Sequence, residues 1–129
     1  MAMIFDMDEP IRAEINSELA YMTTGTFVTP YNALAGVAMV LAKYNIFVPR
    51  METLNGNEGH KTWPLQMTKP IGADENGNVN LKAVIPYHLF FEYVLDDGGW
   101  YQIFCEIVNN EELEEILTDI AKEQSNESR

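Results

Sequence analysis

The sequence predicts an α+β domain: an antiparallel sheet of about four strands, packed with two N-terminal helices and one acidic C-terminal helix, in the order ααββββα. Three observations predict it. Helical spacing of apolar residues and two proline start signals fill the first 45 residues. From residue 46 to 108 the pattern changes to short β-prone segments separated by glycine-, asparagine- and proline-rich turns. After residue 110 the helical spacing returns.

Asp8-Glu9-Pro10 combines a capping acid with proline in the first turn, and Ile11, Ile15, Leu19 and Met22 follow at helical spacing. These residues predict a helix over about 9–22, ended by Thr23-Thr24-Gly25-Thr26. Thr29-Pro30 repeats the start signal. From Ala33 to Ala42 no polar side chain occurs, which predicts a second helix buried on all sides at the centre of the core. Ala33, Ala35, Gly36, Ala38 and Ala42 are small enough for a neighbouring backbone to come close. Lys43 complements the dipole at its end, and Asn45 suits a left-handed cap.

Ile46-Phe47-Val48 is β-prone but is broken by Pro49, as an edge strand would be. The stretch LNGNEGH then reads as a loop, with a weak, proline-interrupted strand over 60–68. Asp74-Glu75-Asn76-Gly77-Asn78 predicts a hairpin turn of type I′, followed by a strand over 79–85. Residues 87–95 and 100–108 are the clearest strands. Asn110 is placed as the cap of a helix over about 111–123, with Leu113, Ile116, Leu117 and Ile120 on one stripe. One domain over 1–123 and a frayed tail over 124–129 follow.

The loop LDDGGW (95–100) sets the register of the last hairpin. A two-residue loop pairs Leu89 with Glu106 and Ile103 with Glu92, mixing charge with apolar groups on both faces. A three-residue loop, Asp97-Gly98-Gly99, pairs Tyr93 with Ile103, Phe91 with Cys105 and Leu89 with Ile107 on one face. The other face then receives Glu92 with Phe104, Phe90 with Glu106, and Val94 with Gln102. Burial favours the register that sorts the charges, and a glycine supplies the left-handed residue that a three-residue loop requires. The three-residue hairpin is therefore expected. Its second face carries Phe90, Phe104 and Val94 beside two glutamates. Either another element covers that face, or it is an aromatic protein-binding patch rimmed by acid.

Twenty acids against eight bases give a net charge of −12. Residues 1–24 contribute −4 and residues 109–129 contribute −5, whereas the 84 residues between them contribute only −3. This balance disfavours direct binding to nucleic acid, which relies on lysine and arginine at phosphates, and binding to anionic membranes. The longest apolar run, ten residues, is about half of a bilayer span. With an N-terminus unlike a secretory signal and a single cysteine, Cys105, a cytoplasmic location is expected.

Motifs with intrinsic chemistry are few. Cys105, His60 and His88 lack metal-ligand spacing, and Asp74-Glu75-Asn76-Gly77-Asn78 departs from a calcium loop in its glycine position and its missing final glutamate. No phosphate-cradling or nucleophile-elbow motif occurs. No cofactor, metal or catalytic residue is assigned, and no motif is specific enough to name a family.

Three functional readings remain. The first is a protein-binding module docking on a basic partner, in its sharpest form a nucleic-acid mimic or inhibitor of a nucleic-acid-handling enzyme. Its surface would comprise Phe90, Glu92, Phe104, Glu106, Glu111, Glu112, Glu115 and Asp119. The second is a small ligand-binding domain or enzyme using the 55–63 loop, with Glu58, His60, Lys61 and Trp63, and with His88 nearby. The third is a homo-oligomeric structural or assembly subunit, with the apolar second helix or the sheet face at the interface.

Overall fold

The longest strand among the described residues, β3 (Val79–Leu95), is paired on both sides and organises the sheet around it. The computed structural model describes residues 7–49, 53–72 and 79–127, with side chains over 7–49, 53–67 and 85–123. Helices α1 (Glu9–Met22) and α2 (Pro30–Lys43) lead into β1 (Ile46–Phe47), β2 (Glu58–Gly72), β3, β4 (Tyr101–Asn109) and α3 (Asn110–Glu127). The strands form one antiparallel sheet in the order β1-β2-β3-β4. The α+β class and the element order agree with the sequence.

The segments 79–85 and 87–95, expected as two strands, are one. Pro86 does not break β3 because the ladders on both sides avoid it. Pairing with β4 begins only at Tyr87↔Asn109. On the other side Pro64 lies opposite His88 and Gln66 opposite Val84, so Ile85–Tyr87 bulge past Leu65 alone. A bulge is one of the few places where a strand accepts proline. Glu58–His60, expected in a loop, already pair with Val94–Glu92 and belong to β2. The expected type I′ turn over 74–78 lies outside the described residues.

The β3–β4 register is that of the three-residue loop: Phe91↔Cys105, Leu89↔Ile107 and Phe90↔Glu106. The Gly99 N–H donates to the Asp96 carbonyl at 3.2 Å, and Gly99 has a φ of 87°, the left-handed conformation that closes such a loop. The Asp96 carboxylate accepts from the backbone N–H groups of Gly98 (2.9 Å) and Trp100 (3.0 Å). The Trp100 bond is the chief reason that its pKa lies below the ordinary value.

One sheet face carries the core. Trp63 and Leu65 of β2, Leu89, Phe91 and Tyr93 of β3, and Cys105 and Ile107 of β4 pack with Ile15 and Leu19 of α1 and Ala33, Leu34, Val37 and Leu41 of α2. A side-chain carbon at Gly36 would lie 2.3 Å from the Met22 sulfur, so the Met22 side chain of α1 occupies the space that this glycine leaves on α2. Thr29 accepts from the Tyr31 N–H as the cap of α2, and Asn45 takes the left-handed conformation (φ 62°) beyond its end. Asp8 occupies the cap position of α1 without a side-chain capping bond. The apolar run Ala33–Ala42 of α2 is not buried on all sides. Ala35, Ala38, Met39 and Ala42 are exposed, Met39 by 73%. No element packs over that side among the described residues, because the sheet takes only the opposite stripe.

Strand β4 ends the sheet, and its outer edge is blocked at two points. The Asn16 side chain on α1 donates to the Ile107 carbonyl at 3.1 Å and accepts from the Ile107 N–H at 2.7 Å, standing in for a neighbouring strand. Phe27 and Tyr101 exchange a pair of backbone bonds at 2.9 and 2.8 Å. Closed edges limit unwanted strand addition. Helix α3 starts one residue earlier than expected and is capped by Asn109, not Asn110. The Asn109 side chain accepts from the Glu112 N–H at 2.8 Å while Glu112 accepts from the Asn109 N–H at 2.9 Å, a reciprocal capping box. The helix continues to Glu127, so residues 124–127, expected as frayed tail, are helical.

Two substitutions test this account. Asn16→Ala is expected to lower unfolding stability by about 2 kcal/mol in urea titrations, since it leaves both Ile107 edge groups without this partner. Gly99→Ala is expected to cost about 1 kcal/mol by forcing a side chain into the left-handed conformation.

Candidate partner-binding surface

Alternation along the strands sends His60, Phe90, Glu92, Val94, Phe104, Glu106 and Val108 to the face away from α1 and α2. Helix α3 contacts β3 and β4. Phe90 and Val108 are each 2% exposed although neither joins the main core, so α3 covers part of this second face. Phe90, assigned from the sequence to a partner surface, is therefore interior. Its ring stacks on His60 at 5.9 Å and meets Phe104 edge-on at 6.1 Å. The three rings form a row across β2, β3 and β4.

The uncovered remainder has an apolar centre and an acidic margin. Phe104 is 49% and Val94 43% exposed, and Glu92 lies beside them, opposite Phe104 in the ladder. Between the sheet and the second half of α3 an open cleft of about 400 Å³ is lined by Glu58, His60, Glu92, Val94, Ile120 and Glu123. Farther along α3, Glu111, Glu114, Glu115 and Asp119 are exposed around a shallow depression shared with Lys122.

Two of the sequence-assigned acids differ from the rest. Glu112 is occupied within the fold: besides its capping bonds, it accepts from the Arg12 guanidinium of α1. Arg12 also pairs with Glu9 at 2.9 Å, reaches the Ile107 carbonyl at 3.4 Å and lies 5.3 Å from the centre of the Tyr87 ring. The hydrogen bond from Arg12 is the main cause that holds the Glu112 pKa below its ordinary value, and the same bond raises that of Arg12. Glu106 is partly buried beneath this junction. Desolvation first, and then the Glu112 charge, raise its pKa, with Arg12 opposing.

The residues of the 55–63 stretch do not converge. The expected loop ends before Glu58, and the strand that replaces it points alternate side chains to opposite faces. His60 and Glu58 line the cleft with Glu92, whereas Trp63 is 3% exposed in the core and Lys61 falls on the same face as Trp63. Short loop residues 53–57 are instead pinned by tyrosines: Tyr31 exchanges bonds with Leu54, and the Tyr93 hydroxyl donates to the Asn55 carbonyl at 2.6 Å. His88 does not line the cleft. It lies on β3 between Pro64 and Val108, its Nδ1 has no hydrogen-bond partner among the described residues, and desolvation lowers its pKa. Cys105 is buried in the core, where desolvation raises the thiol pKa and keeps it protonated.

Ile120, expected only on the apolar stripe of the helix, and Glu123, expected on an extended negative surface, join the cleft. Their helical periodicity was readable, but which strands they would face depends on how α3 crosses the sheet. No helix among the described residues is long and apolar enough to cross a membrane. Compared with models of protein families, with curated protein sequences and with solved structures, the chain matches none.

The Glu106 environment predicts a pH signature. A carboxyl whose folded-state pKa is raised binds protons more readily when folded, so it favours folding as pH falls and opposes it once ionised. Glu106→Gln is therefore expected to stabilise the protein at neutral pH, with the gain vanishing below the ordinary glutamate range. Glu112, with its lowered pKa, has the opposite sign: its contribution is present above the unfolded glutamate pKa of 4.5 and is lost as pH falls through the folded value. Urea midpoints of Glu106→Gln, Glu112→Gln and the unmodified chain across this range check both signs.

Proposed function

We propose that the protein is a binding module that docks a basic partner on the half of its second sheet face that α3 leaves open and on the outer side of α3. The observation that carries this reading is the exposed Phe104–Val94 centre with Glu92 beside it on the sheet, together with the exposed Glu111, Glu115 and Asp119 on the outer side of α3. An apolar anchor inside a charged rim is how specific protein interfaces are organised, with the centre supplying affinity and the rim supplying rate and orientation. Glu111, Glu115, Asp119 and Glu123 recur every four residues, a rise of about 6 Å per carboxylate along the helix. Such an anionic ladder suits a positively charged groove, and a nucleic-acid-handling protein is the sharpest form of the partner. In this reading the cleft formed by Glu58, Glu92 and Glu123 takes a lysine or arginine side chain of that partner, with Val94 and Ile120 against its aliphatic stem.

Affinity capture from the native host at low and at high salt, followed by association kinetics with the captured protein, tests the reading. The association rate is expected to fall steeply with ionic strength. Replacing Glu111, Glu115 and Asp119 together by Gln should slow association at least fivefold with little change in dissociation. Phe104→Ala should speed dissociation at least tenfold. A captured protein whose binding ignores salt and all four substitutions would end this proposal, as would stoichiometric binding of a metabolite in place of a protein.

A further inference from the structure

We propose that two copies of this chain pair through the exposed side of α2. That side presents Tyr31, Ala35, Ala38, Met39 and Ala42 to solvent, and α2 has no carboxylate anywhere along its length. The only charge on the helix is Lys43 at its end, already paired with Glu18 of α1 at 2.7 Å. Beside the exposed side, an apolar groove of about 170 Å³ runs between α2 and β1, lined by Ala38, Leu41, Ala42, Phe47 and Val48 among others.

Electrostatics selects the occupant. A copy of a chain with a net charge of −12 is repelled from any face that bears acid. Glu9 and Glu14 stand on the exposed side of α1, Glu92 on the open sheet face, and Glu111, Glu115 and Asp119 on α3. Among the described residues, the α2 side is where two such chains can meet with the fewest opposing carboxylates, since Glu18 at its margin is neutralised by Lys43. A basic partner finds no counter-charge there, whereas the acidic surfaces offer it many. The shape is also self-complementary. At 100° per residue, Met39 lies on one flank of the exposed side and Ala38, bordering the groove, on the other. A two-fold axis running along the paired helices carries Met39 of each copy to the groove of the other. The flexible, unbranched methionine suits an irregular apolar gap, and reciprocal contacts of this kind define a closed two-fold dimer. The face is about 20 Å long, at the small end for stable interfaces, so pairing depends on concentration.

Sedimentation equilibrium of the full chain over a range of concentrations, at low and at high salt, tests the proposal. The mean mass is expected to rise from 14.7 kDa towards twice that value. Salt should strengthen the association by screening repulsion between the copies, the opposite of its effect on a basic partner. Met39→Glu should weaken pairing at least tenfold while leaving circular dichroism and, at concentrations where the chain is monomeric, the melting temperature unchanged, because Met39 is solvent-exposed in the single chain. Ala35→Cys, near the middle of the face, should form a disulfide-linked dimer under mild oxidation, without competition from the buried Cys105. A single 14.7 kDa species under all conditions overturns the proposal. So does a dimer that tolerates Met39→Glu and fails to cross-link at residue 35.

Discussion

The three-residue turn Asp97–Gly99 holds Phe91 opposite Cys105 and Phe90 opposite Glu106, and with that offset it decides which side chains of β3 and β4 enter the core together. A slip of one residue would put Glu106 on the face of Leu89 and Phe91 and turn Cys105 and Ile107 away from it, because strand side chains alternate with a period of two. The left-handed Gly99 and the Asp96 carboxylate, which accepts two backbone N–H groups, make the correct offset the low-energy one. The chemistry of LDDGGW is thus spent on geometry. Its acids and glycines aim the hairpin, and the hairpin then presents Phe104 and Glu92 to solvent.

A sheet with helices on one side leaves a second face to be dealt with, and α3 covers it only in part. The helix is tied down where it begins. Asn109 and Glu112 cap each other, and Arg12 reaches from α1 to Glu112 and the edge of β4. Arg12 is partly buried, and it meets carboxylates, a carbonyl and the Tyr87 ring at once, so its ion pairs form a network in place of an isolated surface contact. From this anchored start α3 passes over Phe90 and Val108 and opens the cleft with its second half. Burial and exposure on this face are consequences of one helix path.

Charge is divided between the two outward surfaces. The acid gathers on α3, the open part of the sheet and the exposed side of α1, whereas α2 carries none. Under the two proposals, a field of this kind steers a basic partner to one side and leaves the other as the low-repulsion approach for a second copy. The two proposed interactions respond to salt in opposite directions, and they use different residues.

Local signals were sufficient where the physics is local. The limits of α1, the Thr29 cap and left-handed Asn45 of α2, the edge position of Ile46-Phe47 and the hairpin register all follow from side-chain period, proline and glycine geometry, and neighbouring residues. The cap of α3 falls one residue before the expected Asn110 because Asn109 and Asn110 are chemically identical, and only the bond from the Glu112 N–H distinguishes them. Long-range contacts decided the rest. Pro86 could stay within β3 because its neighbouring strands leave a bulge opposite it, which no window of sequence reveals. The apolar run of α2 specified a helix but not how many of its sides would find partners. Likewise, the acids near both chain ends were legible as charge. Their division into fold-building Glu112, half-buried Glu106 and exposed Glu111, Glu115 and Asp119 came from the docking of α3. Composition and periodicity determine what each segment can bury. Which surface is actually removed from water is a property of the assembled elements, since burial requires a second surface to press against.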